Sequence, residues 1–222
     1  MAVGSLTLYI DAFWANCWDC GPYVALREKG VAFSTAIALL HEDMGISPGV
    51  RAQTITGLAP ALQHGGFWIA ESSAIIEYVE DAFPPPAWPR LFPVEPALRG
   101  RARQLMSWIR TELGDLREAR DTRWLFYPRG APPPLGAAAA RQAARLIDVV
   151  ERLGPSPTGA LLGAWCIADV DVAFTIMRLV RAGDPVPPAV RAYAEATWAR
   201  PSVREYVEHT RPPHPPKVLP RS

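Results

Sequence analysis

Residues 6–10, LTLYI, alternate apolar and polar positions, the two-residue period of a half-buried strand. Residues 22–29 continue with a helical pattern that Gly30 closes, since glycine suits the left-handed turn that ends helices. Residues 31–40 are β-branched and apolar and predict a second strand; a Gly/Pro/Ser-rich stretch after them carries a weak helix over 50–53. Two short apolar runs, 61–63 and 67–70, meet through His64-Gly65-Gly66 and predict an antiparallel hairpin. Ile75, Ile76, Val79 and Phe83 then share one helical face. Beyond residue 95 every strong pattern is helical. A long helix is predicted over 98–120, striped by Leu105, Ile109, Leu113 and Leu116, and others over 137–153, 168–182, 188–198 and 202–208. No fixed period repeats, which excludes a solenoid.

The first seven elements give the order βαβαββα. A helical connection makes the first two strands parallel, and the hairpin makes the last two antiparallel, which is the thioredoxin-like arrangement. The predicted fold class is therefore α/β plus all-α: a thioredoxin-like domain over 1–83 followed by an all-helical domain over 95–210. Proline marks the boundaries, because it fits neither helix interiors nor central strands. Of 24 prolines, one cluster runs from Pro84 to Pro96, and another from Pro212 to Pro220. These predict a linker over 84–94 and a disordered tail over 211–222.

Charge and cysteine content narrow the function classes. A formal net charge of +1 gives nucleic acid or an anionic membrane no purchase as the main partner. Three cysteines do not make a secreted disulfide framework, the N-terminus has no basic start with a cleavable apolar run, and no apolar stretch approaches the roughly 20 residues of a membrane span. The expectation is a reduced, soluble, cytoplasmic protein. No metal is expected, since Cys17 and Cys20 have only Cys166 and four scattered histidines to complete a zinc site.

Four local features carry candidate chemistry. Pro60, in GLAPAL just before a short strand, is either an ordinary loop proline or a cis-proline that frees the Ala59 backbone to pair with an extended peptide. Glu71-Ser72-Ser73 opens a helix straight after a strand. That is either plain capping, or free N–H groups and a helix pole for a carboxylate with Glu71 beside them for an ammonium, together the end of an α-amino acid. Asn16-Cys17-Trp18-Asp19-Cys20 places a C-x-x-C between strand and helix, which suits thiol redox work with Cys17 as the low-pKa thiol or two small packed residues. Trp165-Cys166-Ile167-Ala168-Asp169 has capping-box form, with Asp169 reaching back from the third helical position.

In this order the features resemble the glutathione S-transferase superfamily, from about Leu6 to about Thr210. The likeness rests on the x-Pro-x-Leu segment before a Gly hairpin, the E-S-S-A-I after it and the I-A-D box of the second domain; S-S-A-I-I-E-Y and W-C-I-A-D resemble a bacterial branch of cytosolic transferases. The resemblance implies glutathione as co-substrate, with Pro60 as cis-proline, Ala59 pairing with the cysteinyl unit, and Glu71 and Ser72 taking the γ-glutamyl ammonium and carboxylate. It implies a homodimer packed through helix faces that include Arg99, Arg101 and Arg103. The chain departs from the pattern in four places. The catalytic Ser or Cys position, counted back from Ala25-Leu26, falls on Asn16, with Cys17 one place later. Pro22, tolerable only in a first helical turn, moves the expected start of the first helix to about Asp19. Leu58 and Ala59 replace the common Lys and Val, which removes the usual contact to the glycine carboxylate, and Cys166 replaces a Ser or Thr cap.

The implied activity is addition of glutathione thiolate to a small apolar electrophile, or reduction of a peroxide, with Asn16 or Cys17 handling the thiol. Trp108, Trp124, Phe126 and Tyr127 are candidates for the electrophile pocket in the helical domain, or for its core. Two alternatives are a glutathione-dependent thiol-disulfide oxidoreductase using Cys17, and a non-catalytic binding protein on the same fold.

Overall fold

A computed structural model describes residues 4–39, 46–127 and 130–213 of the 222. Leu40, the expected last residue of the second strand, and residues 214–222 of the expected tail lie outside them. The chain forms two compact units, Met1–Pro89 with Glu208–Ser222, and Arg90–Val207.

In the first unit β1 (Leu6–Asp11), β2 (Ser34–Leu39), β3 (Ala61–His64) and β4 (Phe67–Ala70) form a sheet in the order β2-β1-β3-β4. β1 runs parallel to β2 and antiparallel to β3, and β3 pairs antiparallel with β4. The period-two pattern of β1 explains its burial, with Leu8 and Ile10 wholly enclosed. Tyr9 points to a second cluster formed by Ala38, Val50, Ala61 and Ala70. Val50 belongs to α2 (Pro48–Gln53), so the weakly signalled helix is present. α1 (Cys17–Lys29) and α3 (Ser72–Ala82) pack on each other and on the strands.

α1 differs from expectation at its start. It begins at Cys17 with Asn16 as its cap, and Pro22 lies inside it. The ring leaves the carbonyl four residues back, on Trp18, without its usual amide donor, yet the helix runs on to Gly30. There φ is +66°, and the Gly30 and Val31 amides return to Arg27 and Leu26. The buried Lys29 ammonium joins the ends of α1 and α3, donating to Glu80 Oε2 at 2.5 Å and to the Phe83 carbonyl at 2.7 Å.

The second unit is helical: α4 (Pro96–Glu112), α5 (Gly114–Ala119), α6 (Thr122–Phe126), α7 (Ala137–Leu153), α8 (Ile167–Ala182), α9 (Pro188–Trp198) and α10 (Pro201–Val207). The long helix expected over 98–120 is broken at Leu113, before Gly114. The guanidinium of Arg117 takes the carbonyls of Ile109 and Arg110, which satisfies two of the acceptors that the end of α4 leaves open. α6 had no periodic signal of its own. Among the described residues no helix is long and apolar enough to cross a membrane.

α8 is buried from Ile167 to Leu179. Asp169 reaches back as expected, accepting from Cys166 N–H at 2.8 Å, and also accepts from Leu161 N–H at 3.1 Å and the Tyr193 hydroxyl at 2.9 Å. Burial pushes its carboxyl up to about 6 despite these donors, and burial with the Asp169 charge pushes the Cys166 thiol up to about 12. A carboxyl raised by folding favours the folded state most below its unfolded pKa of about 3.9, and that contribution is lost as pH rises through about 6. The urea-derived stability difference between wild type and Asp169→Asn should therefore shift against the wild type by about 2 kcal/mol between pH 4 and pH 7. A difference constant over that range would show that Asp169 does not titrate there.

Candidate functional site

Register places three loops side by side. Tyr9 pairs with Ala61, and Ala61 with Ala70. The exit from β1, the entry to β3 and the exit from β4 thus share one end of the sheet, and each carries one of the features singled out above.

The first loop enters α1. Trp14 has a positive φ of 52°. The side-chain oxygen of Asn16 accepts from Trp18 N–H at 3.2 Å, and its amide nitrogen donates to Asp19 Oδ1 at 2.8 Å. Cys17 is half-buried at the first helical position, whereas Cys20 is wholly enclosed. Asp19 is the residue that sequence reasoning missed. It is fully buried, its Oδ2 accepts from Asp11 N–H at 2.7 Å, and burial holds its carboxyl well above the usual range, with the nearby Asp11 carboxylate adding to the shift. It fixes the orientation of the Asn16 amide and ties the end of β1 to the start of α1. Its signal was the N-x-x-D spacing, a capping-box form like that recognised at Asp169.

The second loop enters β3. The Ala59–Pro60 bond is cis, Pro60 is buried, and Ala59 is half-buried against the cluster under β3. No hydrogen bond engages the Ala59 backbone among the described residues. The third loop enters α3. Glu71 is its cap residue, with φ 74° and ψ 118°, and its exposed carboxylate makes no capping bond. Ser72 is buried just inside, and the first helical amide bond is Ile75 N–H to the Glu71 carbonyl, at 2.9 Å. The Ser73 and Ala74 amides precede it, at the positive pole of α3. The three loops bring to one end of the sheet the cis bond before Pro60 with the Ala59 backbone beside it, the start of α3 with Glu71 and Ser72, and the start of α1 with Cys17.

Residues 208–213 also reach this unit. His209 stacks on Trp14 with ring centres 3.6 Å apart, and Arg211 donates from Nε and Nη2 to the Trp14 carbonyl at 3.1 and 3.0 Å. Arg211, expected to open a disordered tail, is bonded. Burial, helped by the Arg211 charge, lowers the His209 pKa.

The four candidate pocket aromatics separate. Trp124, Phe126 and Tyr127 line one cavity of about 460 Å³ with the last residues of α8, and Phe126 also packs on Phe174 and Trp198. Trp108 lies in a different cleft, between α4 and α7. Among the described residues no group of three or more His, Cys, Asp or Glu side chains is placed to hold a metal ion.

Comparison with known proteins accords with this arrangement. A family model described as glutathione S-transferase, C-terminal domain, matches residues 96–211, and one described as glutathione S-transferase, N-terminal domain, matches residues 22–87. The crystal structure of a glutathione transferase homologue from Burkholderia gl BGR1, with bound glutathione, is 35% identical with a TM-score of 0.75, over 92% of this chain and 97% of that one. A theta class glutathione S-transferase from Xanthomonas axonopodis pv. citri shares the fold at 20% identity, TM-score 0.73, over 93% and 99% of the two chains. Among curated proteins, a stringent starvation protein A homologue of Histophilus somni is 33% identical over 46% of this chain and 44% of its own length. A maleylpyruvate isomerase of Ralstonia sp is 28% identical over 54% of this chain and 55% of its own. The chain spans about half the length of these curated relatives.

Backbone held at Glu71's angles costs a residue with a Cβ on the order of 1–3 kcal/mol, most of which glycine escapes. Glu71→Gly should raise stability in urea unfolding by about 1 kcal/mol, after the larger entropy that glycine gives the unfolded chain. A loss of stability would show that Glu71 is not strained.

Proposed function

Because the chain belongs to the glutathione S-transferase family, we propose that it binds glutathione at the three loops and presents its thiolate to a small apolar electrophile or a peroxide. The observation that carries this reading is the register of Tyr9 with Ala61 and of Ala61 with Ala70, which makes neighbours of the three loops. Ala59 pairs its open backbone with the cysteinyl unit. Ser72 and the amides at the start of α3 take the γ-glutamyl carboxylate, and Glu71 takes the ammonium. The thiol then lies toward the start of α1. An ordinary thiol titrates near 8.5, so two units of acidification require about 2.7 kcal/mol, within reach of one hydrogen bond to the anion and a helix N-terminus. Asn16 supplies the donor, its amide oriented by Asp19. The reaction takes place in a reducing, cytoplasmic setting, by a homodimer.

A second reading has one observation in its favour. Cys17 stands at the first position of α1, where the helix pole lowers a thiol pKa, and could form a mixed disulfide with glutathione. The wholly enclosed Cys20 is poorly placed to resolve it. A non-catalytic binder on the same fold would show glutathione affinity and neither activity.

Ser72→Ala and Glu71→Gln should each weaken glutathione binding in calorimetry by roughly 10- to 150-fold, the loss expected for one hydrogen bond to a charged group. Unchanged affinity in a folded variant would show that these loops are not the site. Conjugation of a chromogenic electrophile and glutathione-dependent disulfide reduction separate the thiol handlers. Cys17→Ser should retain most conjugating activity and Asn16→Ala should lose it. Full conjugation by Asn16→Ala, with both activities lost in Cys17→Ser, would move the assignment to Cys17.

A further inference from the structure

The loop that enters α1 is held from a distant part of the chain. Residues 208–213 form neither helix nor strand, yet two of their side chains meet Trp14. Arg211 donates from Nε and Nη2 to the Trp14 carbonyl, and from Nη1 to the His209 carbonyl at 2.9 Å. One guanidinium thus ties the loop to the residue whose ring stacks on the same indole. Tyr23 of α1 meets that indole edge-on, with ring centres 5.6 Å apart.

Trp14 requires such a hold. Its φ of 52° is a left-handed conformation that bulky L residues avoid. Locally its N–H donates to the Asp11 carbonyl at 3.1 Å, and the Ala15 N–H donates to Asp11 Oδ2 at 3.1 Å. Asn16, the cap of α1, follows two residues after Trp14. Relaxation of Trp14 toward ordinary backbone angles would redirect the chain just before Asn16.

We propose, on the reading of Asn16 as the thiolate donor, that Arg211 and His209 are positioning residues for the thiol chemistry. By clasping Trp14 in its left-handed form they hold the Asn16 amide where a bound glutathione thiolate needs it. Neither residue has to touch glutathione. A hydrogen bond to an anion weakens steeply with distance and angle, so a small drift of the loop raises the thiol pKa and leaves the γ-glutamyl contacts at α3 as they are.

Arg211→Ala in the whole chain tests this. The pKa of the bound glutathione thiol, read from thiolate ultraviolet absorbance with that of the free protein subtracted, should rise by about one unit, half of the acidification assigned above to a donor and a helix N-terminus. Affinity for S-methylglutathione, which has no thiol to ionise, should stay within about twofold. Hydrogen exchange over residues 14–18 should quicken roughly tenfold, with β1 unchanged. Arg211→Lys, which keeps a donor for the Trp14 carbonyl, should recover part of the thiol shift, and His209→Ala should give a smaller shift of the same sign. A purely structural role would lower the unfolding midpoint and leave the thiol pKa in place. An unchanged thiol pKa in folded Arg211→Ala therefore overturns the proposal, as does an equal loss of affinity for glutathione and S-methylglutathione. If Arg211→Ala does not fold, the same two outcomes are read in His209→Ala. A wild type that binds neither ligand sinks the reading of the site as well, whereas binding of both with a thiol pKa indifferent to Arg211 sinks the clasp alone.

Discussion

Each unit is organised around a carboxylate buried at the third position of a helix. Burying such a group without donors is costly, so the chain around it must supply them. Asp169 draws together the α8 cap, the Leu161 amide and the Tyr193 hydroxyl of α9. Asp19 binds the last residue of β1 and the cap of α1. Burial raises both carboxyls, and at Asp19 a second carboxylate, Asp11, adds to the effect. The loop carrying Asn16 and Cys17 thereby takes its shape from a residue that need not touch any ligand.

At the other side of the candidate site the geometry is held at a cost. Glu71 adopts angles that suit glycine, between β4, which is paired along its length, and α3, whose Ile75, Ile76 and Val79 are wholly enclosed. Those contacts can hold a strained residue in place. What the arrangement gains is an exposed carboxylate beside amide donors, an array that a relaxed cap would close on itself.

Much of this was legible in the sequence. The period of β1, the glycine closing α1, the hairpin glycines and the helices over 137–153 and 188–198 follow directly from spacing, because burial of one face dictates it. Pro60, Glu71 and Ser72 were visible as motifs. The rest needed information that is not local. Pro22 argued for a late helix start, yet the Asn16–Asp19 cap prevails. The break at Leu113 is hidden by a stripe that continues in phase across it, and Arg117 makes the break tolerable. The aromatics of the second unit are alike in composition, and only packing distributes them between two cavities. Similarly, of the three arginines named for the expected dimer faces, Arg99 and Arg103 brace the chain entering α4 and Arg101 lines a cleft.

The contact between Arg211 and Trp14 joins positions 197 residues apart, with the whole second unit between them. A ribosome delivers β1 to α3 first, but the residues that bond the Trp14 carbonyl and stack on its ring emerge only after all the helices of the second unit. Closing so long a loop costs chain entropy that no local contact offsets, and the link cannot form at all on a partly synthesised chain. The loop at the entrance to α1 is therefore among the last parts of the first unit to be secured, and the order of synthesis itself postpones its completion until the second unit has been made.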